Sequence, residues 1–245
     1  MNAPIRIAMW SGPRNISTAM MRSFGARADT AVVDEPFYAA YLARSGVVHP
    51  MQEAVLASQP NDWRDVAKAL LDLVPEGKAI FYQKHMTHHM LPEFGRDWMA
   101  HVRSAFLIRD PAAVLASYVQ KRDAVTLDDI GIVQQHELFD READRIGRAP
   151  PVIEGVDVLA NPATTLRQLC TALGIEYSDS MLRWPTGRRA SDGVWAPAWY
   201  DAVEKSTCFD RPRRAAAAPL PSDLQRIADA ARPHFEAMAT HRLAC

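Results

Sequence analysis

Short apolar segments alternate with helix-like segments along most of this chain. The strand-like segments end at glycine, proline or charged residues. They are residues 5–10, 30–36, 78–84, 103–108 and 151–155. Helical spacing of apolar residues predicts helices over 17–27, 51–58, 62–74, 112–122, 130–147, 161–175 and 222–240. Because strands connected through helices run parallel, this alternation predicts an α/β fold with a parallel sheet flanked by helices on both faces.

Length and composition are those of one globular domain. The 245 residues suit a single domain over 1–245, with an irregular region at about 185–219 that is rich in Pro, Arg, Gly and Trp. A net charge of −1 argues against nucleic acid as a partner. No signal-peptide pattern is seen and no apolar run approaches the ~20 residues of a membrane span, so we expect a cytoplasmic location. Three widely spaced cysteines predict neither a disulfide framework nor a metal site.

Charged residues collect where the predicted strands end. The strand ends read SGPRNIST, DEP, QKH and RDP. In parallel sheets, ligands bind beyond the carboxyl ends of the strands. Three of these four ends carry a cation or a potential cation, and one carries two acids. The pattern predicts a site for an anionic ligand with an acid or base beside it.

The first of these ends, residues 12–18, has the layout of a phosphate-binding loop. It consists of Gly12, Pro13, Arg14, Asn15, Ile16, Ser17 and Thr18. The following helix offers free N–H groups and the positive end of its dipole, and two hydroxyls and one guanidinium stand beside it. The lysine of the nucleotide-hydrolase pattern is missing. The alternative is an ordinary strand–turn–helix in which Ser17 caps the helix and Arg14 is solvated.

Arg109 closes the fourth strand, and Ser117 follows eight residues later on the next helix. The pair brackets a helix start, which is a suitable place for a second phosphate. The alternative is that Arg109 pairs with Asp110 while Ser117 faces solvent or core.

Together these segments resemble the P-loop sulfotransferases that use 3′-phosphoadenosine 5′-phosphosulfate (PAPS). Residues 13–18 are similar to the family's P-K-S-G-T-T, with Arg14 for lysine and Ile16 for glycine. Arg109-Asp110-Pro111 with Ser117 is similar to its R-[DN]-P and helix serine. Residues 151–174 resemble its Y-E-D-L-x-x-x-P segment, and residues 187–199 its R-K-G…G-x-W loop.

The resemblance implies a single domain with a P-loop-type parallel sheet, and PAPS as the donor. The loop at 12–18 would hold the 5′-phosphosulfate, and Arg109 with Ser117 the 3′-phosphate. Arg188 and Arg189 are further candidates for the 3′-phosphate. The acceptor would be a hydroxyl or amine of a small molecule or carbohydrate, and no metal is required. Arg14 would stabilise charge on the leaving phosphate without acting as a general acid.

Two residues are candidates for the general base. Glu35 ends the second strand, where some bacterial carbohydrate sulfotransferases of this family carry a glutamate base. His85 resembles the family's catalytic histidine after the third strand, although it stands one residue closer to the lysine. We favour Glu35. Its alternative role is a strand-end acid paired with an arginine.

Other assignments stay open from the sequence. His85, His88 and His89 have the spacing of a metal-binding helix face, but a capping or surface role is favoured. Trp195 and Trp199 are candidates for stacking on adenine or acceptor, with ordinary packing as the favoured alternative. Position along the chain suggests segments 40–60 and 120–147 for the acceptor pocket. The competing functions are an ATP-dependent small-molecule kinase with Asp34 as a Mg²⁺ ligand, and a nucleotide-binding domain without turnover.

Overall fold

A single parallel sheet organises the chain. The computed structural model describes residues 3–72, 74–119, 125–210 and 220–244. Within them the sheet has five strands in the order β2-β3-β1-β4-β5, and every neighbouring pair is parallel. The strands are β1 (Ile5–Ser11), β2 (Thr30–Asp34), β3 (Ile80–Met86), β4 (Arg103–Ile108) and β5 (Val152–Glu154).

Helices connect the strands and cover both faces of the sheet. Those before β3 are α1 (Ser17–Gly25), α2 (Tyr38–Ser45), α3 (Gln52–Ser58) and α4 (Trp63–Leu71). Between β4 and β5 lie α5 (Pro111–Tyr118), α6 (Leu127–Ile130) and α7 (Ile132–Ile146). After β5 come α8 (Gly155–Ala160), α9 (Pro162–Ala172), α10 (Ala196–Trp199), α11 (Asp201–Glu204) and α12 (Ser222–Ala239). The predicted α/β fold is confirmed. In the described ranges no helix combines the length and the apolar character that crossing a bilayer requires.

The central strand divides the core into two parts. Ile7 and Met9 of β1 pack with Phe24 of α1 on one face of the sheet, and α9 covers the same face. Ala8 and Trp10 alternate with these residues along β1 and point to the other face, which α5, α7 and α12 cover. Because side chains alternate along a strand, a shift of one residue moves a side chain from one of these layers to the other.

Gly131 separates two helices where the sequence predicts one helix over 130–147. It has φ +64°, and a Cβ atom there would lie 2.7 Å from the Thr87 Oγ1. Thr87 in turn donates a hydrogen bond to the Gly131 carbonyl at 2.7 Å. The turn after β3 and the start of α7 are therefore packed too closely for any other side chain.

The secondary structure differs from the sequence-based expectation at three other places. Helix α2 was not predicted. It begins at Tyr38, four residues after the last residue of β2. The helix predicted over 112–122 ends at Tyr118, and residues 120–124 lie outside the described residues. The region predicted as irregular contains turns up to Trp195 and the short helices α10 and α11, while residues 211–219 are likewise outside the described residues.

Candidate active site

A cavity of about 400 Å³ opens beyond the carboxyl ends of β1, β2 and β3, at the start of α1. Its wall combines the first loop, the ends of the strands, the end of α5 and the α10–α11 region. Lining residues include Pro13, Arg14, Asn15, Ile16, Ser17, Thr18, Glu35, Tyr38, His49, Lys84, Met86, His88, His89, Arg109, Ser117, Trp199, Tyr200, Val203 and Phe209. Every residue predicted from the first loop lines this cavity except Gly12, which lies behind the loop.

The first loop is fixed by its own side chains and by its backbone. The Asn15 side chain donates to the Leu107 carbonyl of β4 at 3.1 Å and accepts from the Ile16 N–H at 2.9 Å. A Cβ atom at Gly12 would lie 2.6 Å from the Ile130 carbonyl oxygen. Ile16, not a hydroxyl residue, is the N-cap of α1, and it makes no side-chain capping bond. The N–H groups of the helix start therefore lie at the cavity together with Ser17 and Thr18.

Two arginines lie side by side at this end of the cavity. Arg109 donates a hydrogen bond to the main-chain carbonyl of Arg14. The Arg14 Nε donates to the Ser117 Oγ at 3.1 Å. Arg14 has φ +54°, an uncommon conformation for a residue with a side chain. The segments around residues 14 and 109, predicted to form two phosphate sites, thus meet in one continuous patch.

Neither guanidinium has a carboxylate within ion-pair distance among the described residues. Asp110, the alternative partner of Arg109, instead caps α5 and pairs with Arg232 at 2.6 Å. Burial lowers the pKa of Arg14 and of Arg109, and the charge of Arg14 lowers the pKa of Arg109 further. Two half-buried guanidinium groups in one cavity, with no carboxylate at ion-pair distance in the described ranges, are an arrangement that can bind an anion.

Asp34, Glu35, Lys84 and Tyr200 form a hydrogen-bonded cluster that we call the carboxylate–lysine cluster. Glu35, Lys84 and Tyr200 line the cavity, and Asp34 lies behind them. The Lys84 Nζ lies 2.8 Å from the Asp34 Oδ1 and 2.5 Å from the Glu35 Oε1. It also donates to the Tyr200 hydroxyl at 2.8 Å. Glu35 follows the end of β2 with φ +39° and lines the cavity.

Burial and neighbouring charges together shift the pKa values of Glu35 and Lys84. Burial raises the pKa of Glu35, and the charge of Lys84 opposes that rise. For Lys84, burial acts to lower the pKa, but Asp34 and Glu35 outweigh it and raise the pKa well above its ordinary value. Lys84 is therefore a permanent cation. Glu35 is a carboxylate with raised proton affinity, which is the property of a general base.

His85 is not at the cavity, which corrects one predicted site residue. Its ring stacks on Trp10 at 4.4 Å between centroids and also contacts Phe37 and Trp98. It is 2% exposed, and burial lowers its pKa to about 3. Strand alternation is the cause, because Lys84 and His85 point to opposite faces of β3.

Three other histidines, His49, His88 and His89, line the cavity. The His89 ring lies between Tyr38 and Tyr41, with centroids 4.6 and 4.8 Å away. His85 points to the other face of the sheet, so it does not share one face with His88 and His89 as the less favoured metal-binding arrangement would require. The described part of the chain contains no group of three His, Cys, Asp or Glu residues that could hold a metal ion.

Two further predicted site residues, Arg188 and Arg189, lie away from the cavity lining. Arg188 is exposed, and Arg189 donates to the Pro185 carbonyl at 2.9 Å. Trp195 is buried and donates to the Tyr200 hydroxyl at 3.2 Å, so its role is packing, whereas Trp199 lines the cavity. From the suggested acceptor segments, His49 is the described residue that lines the cavity.

Sequence reasoning did not propose Tyr38, Lys84 or Tyr200 as site residues, and it considered His89 only for a metal-binding face. No motif points to Tyr200, which is far from Lys84 along the chain and is brought to it by the fold. The signal for Lys84 was present, since it stands at the end of the third strand in QKH.

Comparison with known proteins agrees with this geometry. The sequence model of the family described as "Sulfotransferase domain" matches residues 5–242. A sulfotransferase domain from the curacin biosynthetic pathway has TM-score 0.57 and 16% identity, covering 94% of this chain and 98% of that one. A sulfotransferase from Alicyclobacillus acidocaldarius has TM-score 0.53 and 13% identity, covering 99% and 98%. At these identities the likeness establishes the fold.

Two curated relatives come from Arabidopsis thaliana. They are named branched-chain-amino-acid aminotransferase-like proteins 1 and 2, and they are 35% and 33% identical over 87% and 85% of this chain. The chain spans 38% and 37% of their lengths, so their names describe proteins much longer than the matched segment. The family match extends over nearly the whole chain: the chain belongs to the sulfotransferase domain family.

Proposed function

We propose that the protein transfers a sulfuryl group from PAPS to a hydroxyl or amine of a small acceptor. The observation that carries this proposal is the pair Arg14 and Arg109, which face the same cavity as Glu35 without a carboxylate partner among the described residues. An anion site and a carboxylate of raised proton affinity in one cavity are what sulfuryl transfer needs.

The donor would bind at the arginine end of the cavity. The loop 12–18 and Arg14 would hold the 5′-phosphosulfate, and Arg109 with Ser117 the 3′-phosphate. Because Arg14 already reaches Ser117, these two anion positions are adjacent. Arg188 and Arg189 are left out of this assignment, since neither lines the cavity.

In the reaction, the acceptor oxygen or nitrogen forms a bond to sulfur, and the bond between sulfur and the phosphate oxygen breaks. The proton of the acceptor passes to the Glu35 carboxylate, and adenosine 3′,5′-bisphosphate leaves. Arg14 and the N–H groups at the start of α1 stabilise the charge on the leaving phosphate.

The remaining wall of the cavity favours a compact acceptor. It is largely aromatic or aliphatic, with the edges of histidine rings beside it. Its members are Tyr38, Met86, Leu159, Trp199, Val203 and Phe209. An apolar wall suits an alcohol or amine with an apolar or aromatic body better than a polyhydroxylated sugar.

Two other functions are opposed by specific contacts. A kinase would need Asp34 for Mg²⁺, but the Asp34 Oδ1 accepts from Lys84, and Oδ2 accepts from the Tyr200 hydroxyl at 2.7 Å and the Gly193 N–H at 3.1 Å. An aminotransferase would need a nucleophilic lysine, and a raised pKa keeps Lys84 protonated.

The test is a thermal-shift titration with adenosine 3′,5′-bisphosphate, and with ATP in the presence and absence of Mg²⁺. We expect stabilisation by the bisphosphate, amounting to about 2.7 kcal/mol at a hundred times the Kd. Arg109→Ala should abolish it, and the exposed Arg64→Ala should leave it unchanged. Stabilisation by ATP with Mg²⁺ alone would overturn the proposal in favour of a kinase.

A second measurement tests the base. Transfer of label from radiolabelled PAPS to acceptor or to water should fall at least 100-fold in Glu35→Gln. His85→Phe should retain most of the turnover. The opposite pattern would transfer the role of base to the core histidine.

A further inference from the structure

Lys84 has no hydrogen-bond donor left for a ligand. An ammonium group carries three N–H donors. In this structure they are matched by three acceptors, namely Asp34, Glu35 and the hydroxyl of Tyr200, at 2.8, 2.5 and 2.8 Å. The Lys84 side chain is 1% exposed. Because all three of its N–H groups already donate within the protein, Lys84 has none with which to bind an incoming anion.

Asp34 and Tyr200 are as fully engaged as Lys84. Both Asp34 oxygens accept hydrogen bonds within the fold. The Tyr200 hydroxyl donates to Asp34 at 2.7 Å and accepts from Lys84 and from the Trp195 indole N–H. Three of the four members of the carboxylate–lysine cluster are thus satisfied internally.

Glu35 differs from the other members. Its Oε1 accepts from Lys84, and the residue lines the cavity. Its backbone, at φ +39°, makes three hydrogen bonds. Its own N–H donates to the Lys84 carbonyl at 2.9 Å, and its carbonyl accepts from the Gln59 side chain at 3.2 Å and from the Tyr38 N–H at 3.0 Å. A strained conformation that neighbouring groups hold in place is common at functional sites.

We propose that Asp34, Lys84 and Tyr200 are positioning residues that fix one carboxylate oxygen of Glu35 and leave the other for the acceptor. This inference rests on the proposed function, in which Glu35 accepts the proton. It assigns Lys84 to orienting the base and leaves Arg14 and Arg109 as the cations that bind the donor.

The segment that carries Tyr200 makes its own contacts with the rest of the fold. Asp192 pairs with Arg22 of α1 at 2.6 Å, and both side chains are buried. The next residue, Gly193, donates its N–H to Asp34. A Cβ atom at Gly193 would lie 2.1 Å from the Trp195 ring, so the chain turns tightly there. Residues 192–200 thus bring the hydroxyl to the cluster.

The charges in the cluster act on Glu35 in opposite directions. Burial has the largest effect and raises the pKa of Glu35, and the charge of Asp34 adds to that rise. Lys84 and the Tyr200 hydroxyl lower the pKa. Lys84, Tyr200 and Asp34 are the titratable groups that face Glu35, from β3, from the segment after α10 and from β2. Arg14, His88 and His89 line the same cavity. Removing different members should therefore shift the ionisation of Glu35 in different directions.

The experiment measures that ionisation directly and needs no acceptor. Protein labelled with ¹³C at the glutamate carboxyl carbon is titrated by NMR, and Glu35→Gln identifies the Glu35 signal. We expect its midpoint to rise in Tyr200→Phe and to fall in Asp34→Asn, by about half a unit or more. Tyr177→Phe and Asp140→Asn are the matched controls, and they should leave the midpoint in place. Unchanged midpoints, or equal shifts in one direction, would overturn the inference.

A binding measurement separates this inference from the proposed function. The charge-balanced variant Asp34→Asn/Lys84→Met should keep the thermal shift with adenosine 3′,5′-bisphosphate. Loss of that shift in the variant would make Lys84 a ligand of the donor phosphates and overturn its role in positioning. Absence of a shift in the unaltered protein would instead contradict the proposed function and leave the NMR result to decide the positioning role.

Discussion

Arg22 and Asp192 form an ion pair of 2.6 Å in which both side chains are almost completely buried, at 3% and 0% exposure. The pair joins α1, which begins at the anion-binding end of the cavity, to the segment that ends at Tyr200. It therefore connects the arginine end of the cavity to the carboxylate–lysine cluster. Its loss should lower the free energy of unfolding and disturb the orientation of Glu35.

Breaking this pair should be costly. Asp192→Ala leaves the Arg22 guanidinium buried without a counter-charge, and we expect about 3–5 kcal/mol less free energy of unfolding. Urea denaturation measures the change. The double variant Arg22→Met/Asp192→Ala removes the stranded charge and should recover at least half of the loss. If Asp192→Ala lowered the free energy of unfolding by less than about 1 kcal/mol, the prediction for the buried ion pair would be contradicted.

Adding one methyl group at Gly12 should disturb the first loop. The new Cβ would lie 2.6 Å from the Ile130 carbonyl oxygen, a backbone atom that cannot turn aside. We expect Gly12→Ala to lower the free energy of unfolding by about 1–3 kcal/mol and to weaken bisphosphate binding. Gly25→Ala is the matched control, because its Cβ would meet Val32 at an ordinary 3.5 Å. Equal stability of the two variants would refute the close contact.

Ser117 should contribute to binding through Arg14. Its Oγ accepts from the Arg14 Nε at 3.1 Å, which holds the guanidinium at the cavity. We expect Ser117→Ala to weaken bisphosphate binding by about 1–2 kcal/mol, roughly 5- to 30-fold in Kd. Isothermal titration calorimetry measures the change, with Ser58→Ala on α3 as control. Unaltered affinity would show that Arg14 needs no such support.

The buried His85 should make stability depend on pH. Burial lowers its folded-state pKa to about 3, below the ordinary value of 6.5, so the folded protein keeps the ring neutral. Its stabilising contribution is present above about pH 6.5 and is lost as the pH falls towards 3, at up to about 1.4 kcal/mol per pH unit. His85→Phe should flatten the fall in unfolding free energy between pH 6 and 4, measured by urea denaturation. An unchanged slope would show that the ring is protonated in the folded state.

The arginine end of the site could be predicted because it is local. Residues 12–18 and Arg109 stand directly after buried strands, and a parallel sheet brings such ends together. The prediction that His85 lies at the site was wrong, because the preceding residue, Lys84, is the one that lines the cavity. The alternation of β3 places Met9 opposite Lys84 and Trp10 opposite His85, so one neighbour faces the cavity layer and the other the aromatic core. The strand was predicted correctly, but the alternation of its last side chains between the two faces of the sheet was not taken into account.

The base end was less predictable for a different reason. Glu35 was found because it follows a strand, but Tyr200 comes from a region with turns and short helices and little periodic pattern. Its place depends on Asp192 and Gly193, whose partners Arg22 and Asp34 are far away along the chain. Contacts of such long separation leave no local signal in a single sequence. Arg188 and Arg189 come from the same region, and they do not line the cavity.

The distribution of the site along the chain has a consequence for biosynthesis. Residues 5–118 contain β1 to β4, Arg14, Arg109 and Ser117, so a ribosome-bound chain that has emerged to Tyr118 holds every charged group of the anion site. The carboxylate of Glu35 is present by then as well, but its hydroxyl partner is not. Only when Tyr200 has left the ribosome can the cluster close, so the residues proposed to bind the donor are synthesised before the residue proposed to orient the base.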